Sequence, residues 1–342
     1  MSEIDDSPII FYQYFDTTDT DYFAKHVQKL FKETGHNRKI EFRIWNCYND
    51  LPGHDGDIFS YDCASLSALV AKGFIRELPD IVNKDGVFEW ALNTTKYHKK
   101  LYGLPFITCF SALICRKKDY KPIKNLYDIK EPIATPLKSL LPNYYLLSYC
   151  NEQKGKYDDE KLNEMAVEIV KKILQLMGGN DALEKSKMTN FNGIDRFNSG
   201  EVKYLIGFSE YLRLLKHDEY VIELANFSKK SQVEVPLFYT DVLSIGKNTK
   251  EEKLLDCIDL IEIITSAKFE YEICTAQGIL SYMLPINSLA YPKLIEQDQI
   301  YQKLFDIVSN ENNCVSRFGE NYYEEFPRIE QALLKALASK TK

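Results

Sequence analysis

The stretch Leu101–Asp119, L-Y-G-L-P-F-I-T-C-F-S-A-L-I-C-R-K-K-D, decides how the chain is read. Gly103 frees the backbone and Pro105 fixes it, so together they predict a turn or bend ahead of the cysteine. Phe110–Cys115 is a short apolar run and reads as a strand. Cys109 is therefore expected where a bend meets a strand, a place from which a side chain can face a cleft. A thiolate is a strong nucleophile, provided that a base or a cation helps to deprotonate it. A cysteine beside apolar residues also serves as an ordinary core thiol. Arg116-Lys117-Lys118 follows at the end of the run. Only His98 lies within easy sequence reach, so a Cys-His pair has little support.

Outward from this stretch the elements alternate. Pro8–Tyr14 reads as a buried first strand rich in β-formers. A helix follows, with Phe23, Val27, Leu30 and Phe31 on one face, and Gly35 ends it. Lys39–Trp45 alternates Ile40, Phe42 and Ile44 against charged residues, the period of a strand. Asp57–Ser60 is a short strand running into Tyr61 and Asp62, and Leu66, Leu69 and Val70 face inward on the next helix. Residues 120–149 mix short strands with a Leu/Tyr-rich helix. Asp158–Met177 is the clearest helix, capped by Asp158 or Asp159 and stopped by Gly178-Gly179. A short helix over Asn192–Gly200 precedes the strand Val202–Phe208. Ser209 is expected as a helix N-cap, which sets Glu210 in a first turn. Val233–Ile245 is strand, broken by Pro236. Lys250–Ala267 is an amphipathic helix with Leu254, Leu255, Ile258, Ile261 and Ile264 inward, and the tail is helical over Pro327–Lys340. Such alternation gives an α/β class.

At 342 residues the chain is too long for one ordinary core and suits two lobes. A net charge of −7 argues against nucleic acid as a partner, because phosphate binding needs a basic face. No apolar run approaches a membrane span, and short Lys pairs do not make a membrane patch. The eight cysteines stand singly, without a C-x-x-C pair, and are expected as reduced thiols. The five histidines show no metal-ligand spacing, so no metal is expected. Met-Ser-Glu-Ile-Asp-Asp is acidic and unlike a secretory leader, which points to a cytoplasmic protein. A secreted form from which a leader had been removed would begin the same way.

Three further groups carry candidate chemistry. Glu210 is a base if partial burial raises its pKa, or a helix-start glutamate that favours the dipole. Asp241, in Phe238-Tyr239-Thr240-Asp241, is a charge on an apolar strand, costly to bury unless it is paired. Tyr61 and Asp62 stand at the carboxyl end of a short strand, where open α/β sheets bind ligands, and Tyr12, Tyr14 and Tyr48 complete the set. Tyr12 and Tyr61 are equally read as core. Tyr14 and Tyr48 suit stacking on a flat heteroaromatic ring.

On these residues the sequence resembles thiaminase I (thiamine pyridinylase). In that family a Y-G-I-P segment precedes the nucleophilic cysteine; here Tyr102-Gly103-Leu104-Pro105 precedes Cys109. A G-Y-S-E segment carries the glutamate that activates the cysteine; here it is Gly207-Phe208-Ser209-Glu210, with Phe208 for the usual Tyr. A Y-x-D segment binds the aminopyrimidine, matched by Tyr239 and Asp241. The W-D-C-Y segment is matched by Trp45-Asn46-Cys47-Tyr48, with Asn for Asp. The likeness runs from about Tyr12 to Tyr291.

The resemblance implies a two-lobed type II periplasmic-binding-protein-like fold with a ligand cleft between lobes. Residues 1–112 plus 240–290 would form one lobe, and 113–239 plus 291–342 the other. It implies catalysis by Cys109 and Glu210. Substrate binding falls to Asp241, Tyr239, Tyr14, Tyr48, Asp62, Tyr12, Tyr61 and Phe208. Thiamine and an amine or thiol nucleophile would be the substrates, with no cofactor and a monomeric chain. The rival from another class is a solute-binding protein for thiamine or a related cation, which uses the same fold without chemistry.

Overall fold

The computed structural model describes residues 7–14, 20–123, 128–135, 159–179, 192–216, 219–225, 237–276, 281–311, 314–315 and 319–340. In chain order the main elements are β1 (Ile9–Gln13), α1 (Thr20–Glu33), β2 (Ile40–Ile44), β3 (Ile58–Asp62), α2 (Leu66–Ala71) and β4 (Leu104–Arg116). Then come α3 (Asp159–Met177), β5 (Tyr204–Phe208), β6 (Tyr220–Leu224), β7 (Leu237–Ile245), α4 (Glu251–Ile264), α5 (Ala267–Thr275) and α6 (Tyr322–Lys340). The chain forms two units. The first is Met1–Cys109 with Tyr239–Tyr323, and the second is Phe110–Phe238 with Glu324–Lys342. Residues 291–323 pack with the first unit, where the sequence reading had set them in the second lobe.

In the first unit the strands run β2-β1-β3-β7-β4. β1 is parallel to both β2 and β3, whereas β7 runs antiparallel to β3. The opening β-α-β therefore has the expected crossover. Phe23 and Val27 of α1 are fully buried. The Phe23 ring meets Phe11 at 6.3 Å and Phe42 at 6.5 Å, both edge-on, which seats the helix over β1 and β2. On α4 the buried stripe is Lys253, Cys257, Ile258, Leu260, Ile261 and Ile264, so the expected Ile258, Ile261 and Ile264 do face inward. Leu255, expected inward, is exposed. Lys253 takes an inward place at the start of the helix, its Nζ 2.9 Å from Asp57 Oδ2 and 2.7 Å from the Pro8 carbonyl.

In the second unit β4 pairs antiparallel with β5 on one side and β6 on the other. The short strand Ile133–Ala134 lies parallel to β5. Buried Ala166, Ile169, Val170 and Ile173 make the inner face of α3. The β6 strand was not anticipated. The Leu/Tyr-rich helix expected within 120–149, the cap at Asp158 and the break at Pro236 fall outside the described residues.

β4 is the largest departure from the sequence reading. It begins at Leu104, so Cys109 lies inside a buried thirteen-residue strand and not at a bend. Gly103 is there for close approach: a Cβ would lie 2.4 Å from Val242 Cγ1 and 2.9 Å from the Leu243 carbonyl oxygen. Pro105 occupies the second residue of the strand, near the end where a ladder tolerates a missing donor. Ser209 is likewise no cap. It begins a 3-10 turn, Ser209–Leu214, that Phe208 precedes in extended conformation. α6 starts at Tyr322, five residues before the expected Pro327, because burial of Tyr322 draws the first turn in.

Candidate active site

Asp62 ends β3, and the antiparallel register sets Asp241 of β7 directly opposite it. Opposed residues share a sheet face with Cβ atoms about 5 Å apart, so two carboxylates stand side by side. Asp62 is 3% exposed. Its Oδ1 accepts from the Ala64 amide at 2.8 Å, and its Oδ2 from the Tyr48 hydroxyl at 3.3 Å. Burial pushes its carboxyl up to about 6, against these bonds, which favour the charged form.

The Tyr14 and Tyr48 rings meet edge-on at 5.2 Å. Burial raises both hydroxyls well above the ordinary phenol value, Tyr14 further through nearby Cys47 and Asp241 and Tyr48 through Tyr14 and Asp62. Both therefore act as neutral donors. The Tyr14 carbonyl accepts from Ser60 Oγ at 3.1 Å, which pins the chain just past β1. Asn46 stands outside this group: it is exposed, and its side chain accepts from the Tyr48 amide at 3.0 Å. An aspartate would make the same local turn, so the change from the family pattern leaves Tyr48 in place.

Cys109 is 7% exposed and is the last residue of the first unit before the chain crosses; Tyr239 is the first to return. Between them, Thr108 Oγ1 donates to the Tyr239 carbonyl at 2.9 Å and lies 2.9 Å from Thr240 Oγ1. These bonds lock β4 against β7 beside the cysteine. Asp241 follows two residues after Tyr239 on the same strand.

In the second unit Glu210 is half-buried in the turn after β5. Gly207 makes that turn possible, because a Cβ would lie 2.3 Å from Tyr211 Cδ2. Phe208 meets Tyr211 at 5.7 Å, nearly perpendicular.

The structure thus gathers Tyr14, Tyr48, Asp62 and Asp241 in one cluster. Cys109 and Tyr239 sit at the crossing strands, and Glu210 and Phe208 in the second unit. Two tyrosines lie elsewhere. Tyr61 points to the opposite face, its hydroxyl 2.6 Å from Ser244 Oγ in the core. Tyr12 stacks on Phe59 and donates to Asp55, with the Arg43 guanidinium over its ring. Two residues were missed. Cys47 is fully buried, and burial followed by the charge of Asp62 pushes its thiol up. Tyr322 is raised by burial and then by Cys47 and Asp62. Cys47 lies within the W-N-C-Y motif and was legible there; no motif marks Tyr322. Among the described residues no group of three or more His, Cys, Asp or Glu is placed to hold a metal, and no helix is long and apolar enough to cross a membrane.

No protein-family model matches the chain. Thiaminase-1 of Paenibacillus thiaminolyticus is 25% identical over 338 residues, 87% of this chain and 80% of that protein. The structure of Clostridium botulinum thiaminase I in complex with thiamin superposes with a TM-score of 0.80 at 23% identity, covering 97% of this chain and all of that one. Maltose-bound MalE3 of T. maritima superposes at 0.74 with 13% identity, over 98% and 96% of the two chains. The structural likenesses establish a type II periplasmic-binding-protein-like fold. With the sequence match over most of its length, the chain is a homologue of thiaminase I.

Proposed function

We propose that this chain is a thiamine-degrading base-exchange transferase. The observation that carries the reading is the paired Asp62 and Asp241 on one sheet face, flanked by Tyr14 and Tyr48, in a homologue of thiaminase I. Carboxylates beside aromatic faces suit a flat, cationic heteroaromatic ligand. Asp241 holds the aminopyrimidine and favours its protonated, electron-poor form, and Tyr239 packs against the ring. Glu210 takes the proton from Cys109. The thiolate adds to the pyrimidine ring carbon next to a nitrogen, C6′. The bond from the bridging methylene to the thiazole nitrogen breaks, and the thiazole leaves with the electron pair. An amine or thiol then bonds to the methylene, the cysteine is expelled and aromaticity returns.

The test is incubation of thiamine with the protein and aniline. Loss of thiamine with formation of a pyrimidine–aniline product is expected, and that turnover is abolished in Cys109→Ser. Unchanged thiamine that nevertheless binds tightly would favour a solute-binding protein, the class to which the fold of MalE3 points.

A further inference from the structure

We propose that β2 is a self-pairing edge, through which two copies of the chain associate antiparallel about Phe42. β2 is the outermost strand of the first unit's sheet; among the described residues nothing pairs on its far side. Its register with β1 is unbroken over five residues, Ile40–Ile44, with neither a bulge nor a proline to blunt the edge. The Ile9 amide donates to the Lys39 carbonyl at 2.8 Å, and the Trp45 amide to the Gln13 carbonyl at 3.2 Å. Backbone groups along a strand alternate in direction, so those of Glu41 and Arg43 turn to β1 and those of Ile40, Phe42 and Ile44 turn outward. The Ile40 amide is taken by Gln28 Oε1 at 3.0 Å. The amides and carbonyls of Phe42 and Ile44 face away from the sheet.

The sequence of this edge, I-E-F-R-I, is its own complement when reversed. Antiparallel pairing with Phe42 opposite Phe42 of a second copy sets Glu41 against Arg43 at both positions, and Ile40 against Ile44. Opposite charges facing across strands are favourable, and like charges in that position are not. A register displaced by one residue loses the match, putting Glu41 against Phe42 and Arg43 against Ile40. Glu41 and Arg43 already pair along the strand at 2.7 Å and are partly exposed, so the pairs of two copies meet as one group of alternating charges. Ile44 is 64% exposed, the kind of edge residue that a partner strand covers. A second copy is the occupant that matches the edge in charge order, length and apolar pattern at once. The contact is short, which places it among weak, reversible associations. It goes beyond the monomer that the resemblance implies, and it involves none of the proposed catalytic groups.

The experiment is a disulfide trap on the full chain. Directly opposed residues of an antiparallel pair bring Cα atoms to about 4.5–5.5 Å, within disulfide reach. Glu41→Cys and Arg43→Cys are made separately; each retains its fold if its thermal melt matches wild type. Six of the eight native cysteines are buried, and wild-type protein oxidised in parallel sets the background from all eight. Under mild oxidation a covalent dimer is expected when the two variants are mixed, well above the yield from either alone. Adding Ile44→Lys to both is expected to abolish the excess while leaving the melts unchanged. A mixture that yields no more dimer than the single variants would overturn the proposal, as would an excess that survives Ile44→Lys.

Discussion

Asp62 shows how one residue's environment sets its chemistry. It is buried beneath Tyr14 and Tyr48 yet holds two hydrogen bonds, and its carboxyl titrates near 6. In the unfolded chain an aspartate titrates near 4, so between about pH 4 and 6 the folded state keeps a proton that the unfolded state has lost. Stability from this group is fully present below pH 4 and declines as pH rises to 6, by roughly 3 kcal/mol. Asp62→Asn is expected to remove that decline, flattening the melting temperature between pH 4 and 7. Thermal melts of both proteins across this range check it. Activity follows the opposite sense, because a thiamine cation favours the ionised carboxylate. The wild-type kcat/KM for thiamine is expected to fall as pH drops through about 6, and to lose this inflection in Asp62→Asn. The residue types of this cluster were legible in the sequence, but its membership was not. Tyr61 and Asp62 are neighbours, and strand alternation sends one to the core and the other to the site. Tyr12 is two residues from Tyr14 and is held by Asp55 and Arg43.

At the scale of elements, local pattern found most strands and helices but misjudged their ends. Gly103 and Pro105 have the composition of a bend, yet the strand runs on because β7 lies close enough to require a glycine. Nothing in the local sequence records that neighbour. Leu255 fits a helical stripe, but the inward place in the first turn of α4 goes to Lys253, which pairs with buried Asp57. Removing one member of such a pair leaves the other charge buried alone. Lys253→Met is therefore expected to destabilise by about 3–5 kcal/mol in denaturant titration. Gly207 was legible as part of a motif, but its purpose was not: Tyr211 packs where a Cβ would stand. Gly207→Ala is expected to cost about 1–3 kcal/mol and to shift the turn that carries Glu210. Thermal melts and kcat measured together test both halves, since the shift lowers kcat beyond what the loss of folded protein explains.

At the scale of the whole molecule, the chain passes out of its first unit at Cys109 and re-enters at Tyr239. The proposed nucleophile and ring-packing residue thus sit at the two chain crossings, laced by Thr108. The α/β class was readable from alternation, and the length suited two lobes, but the two-lobed assignment leaned on the family resemblance. The assignment of residues 291–323 to the first unit was not, because it rests on packing over long sequence separations. A ligand that binds only the folded protein stabilises it by about 2.7 kcal/mol at a hundredfold excess over its Kd. Cys109→Ser, which keeps the Asp62 and Asp241 cluster, is expected to gain melting temperature with increasing thiamine, although it turns none over.

The most direct measurement is intact-protein mass spectrometry after thiamine is added without an acceptor amine or thiol. Wild type is expected to gain one pyrimidine-sized mass, located at Cys109 by peptide mapping, and Cys109→Ser is expected to gain none. An adduct of that size on Cys109→Ser, or consumption of thiamine by that variant at the wild-type rate, would contradict nucleophilic catalysis by this cysteine.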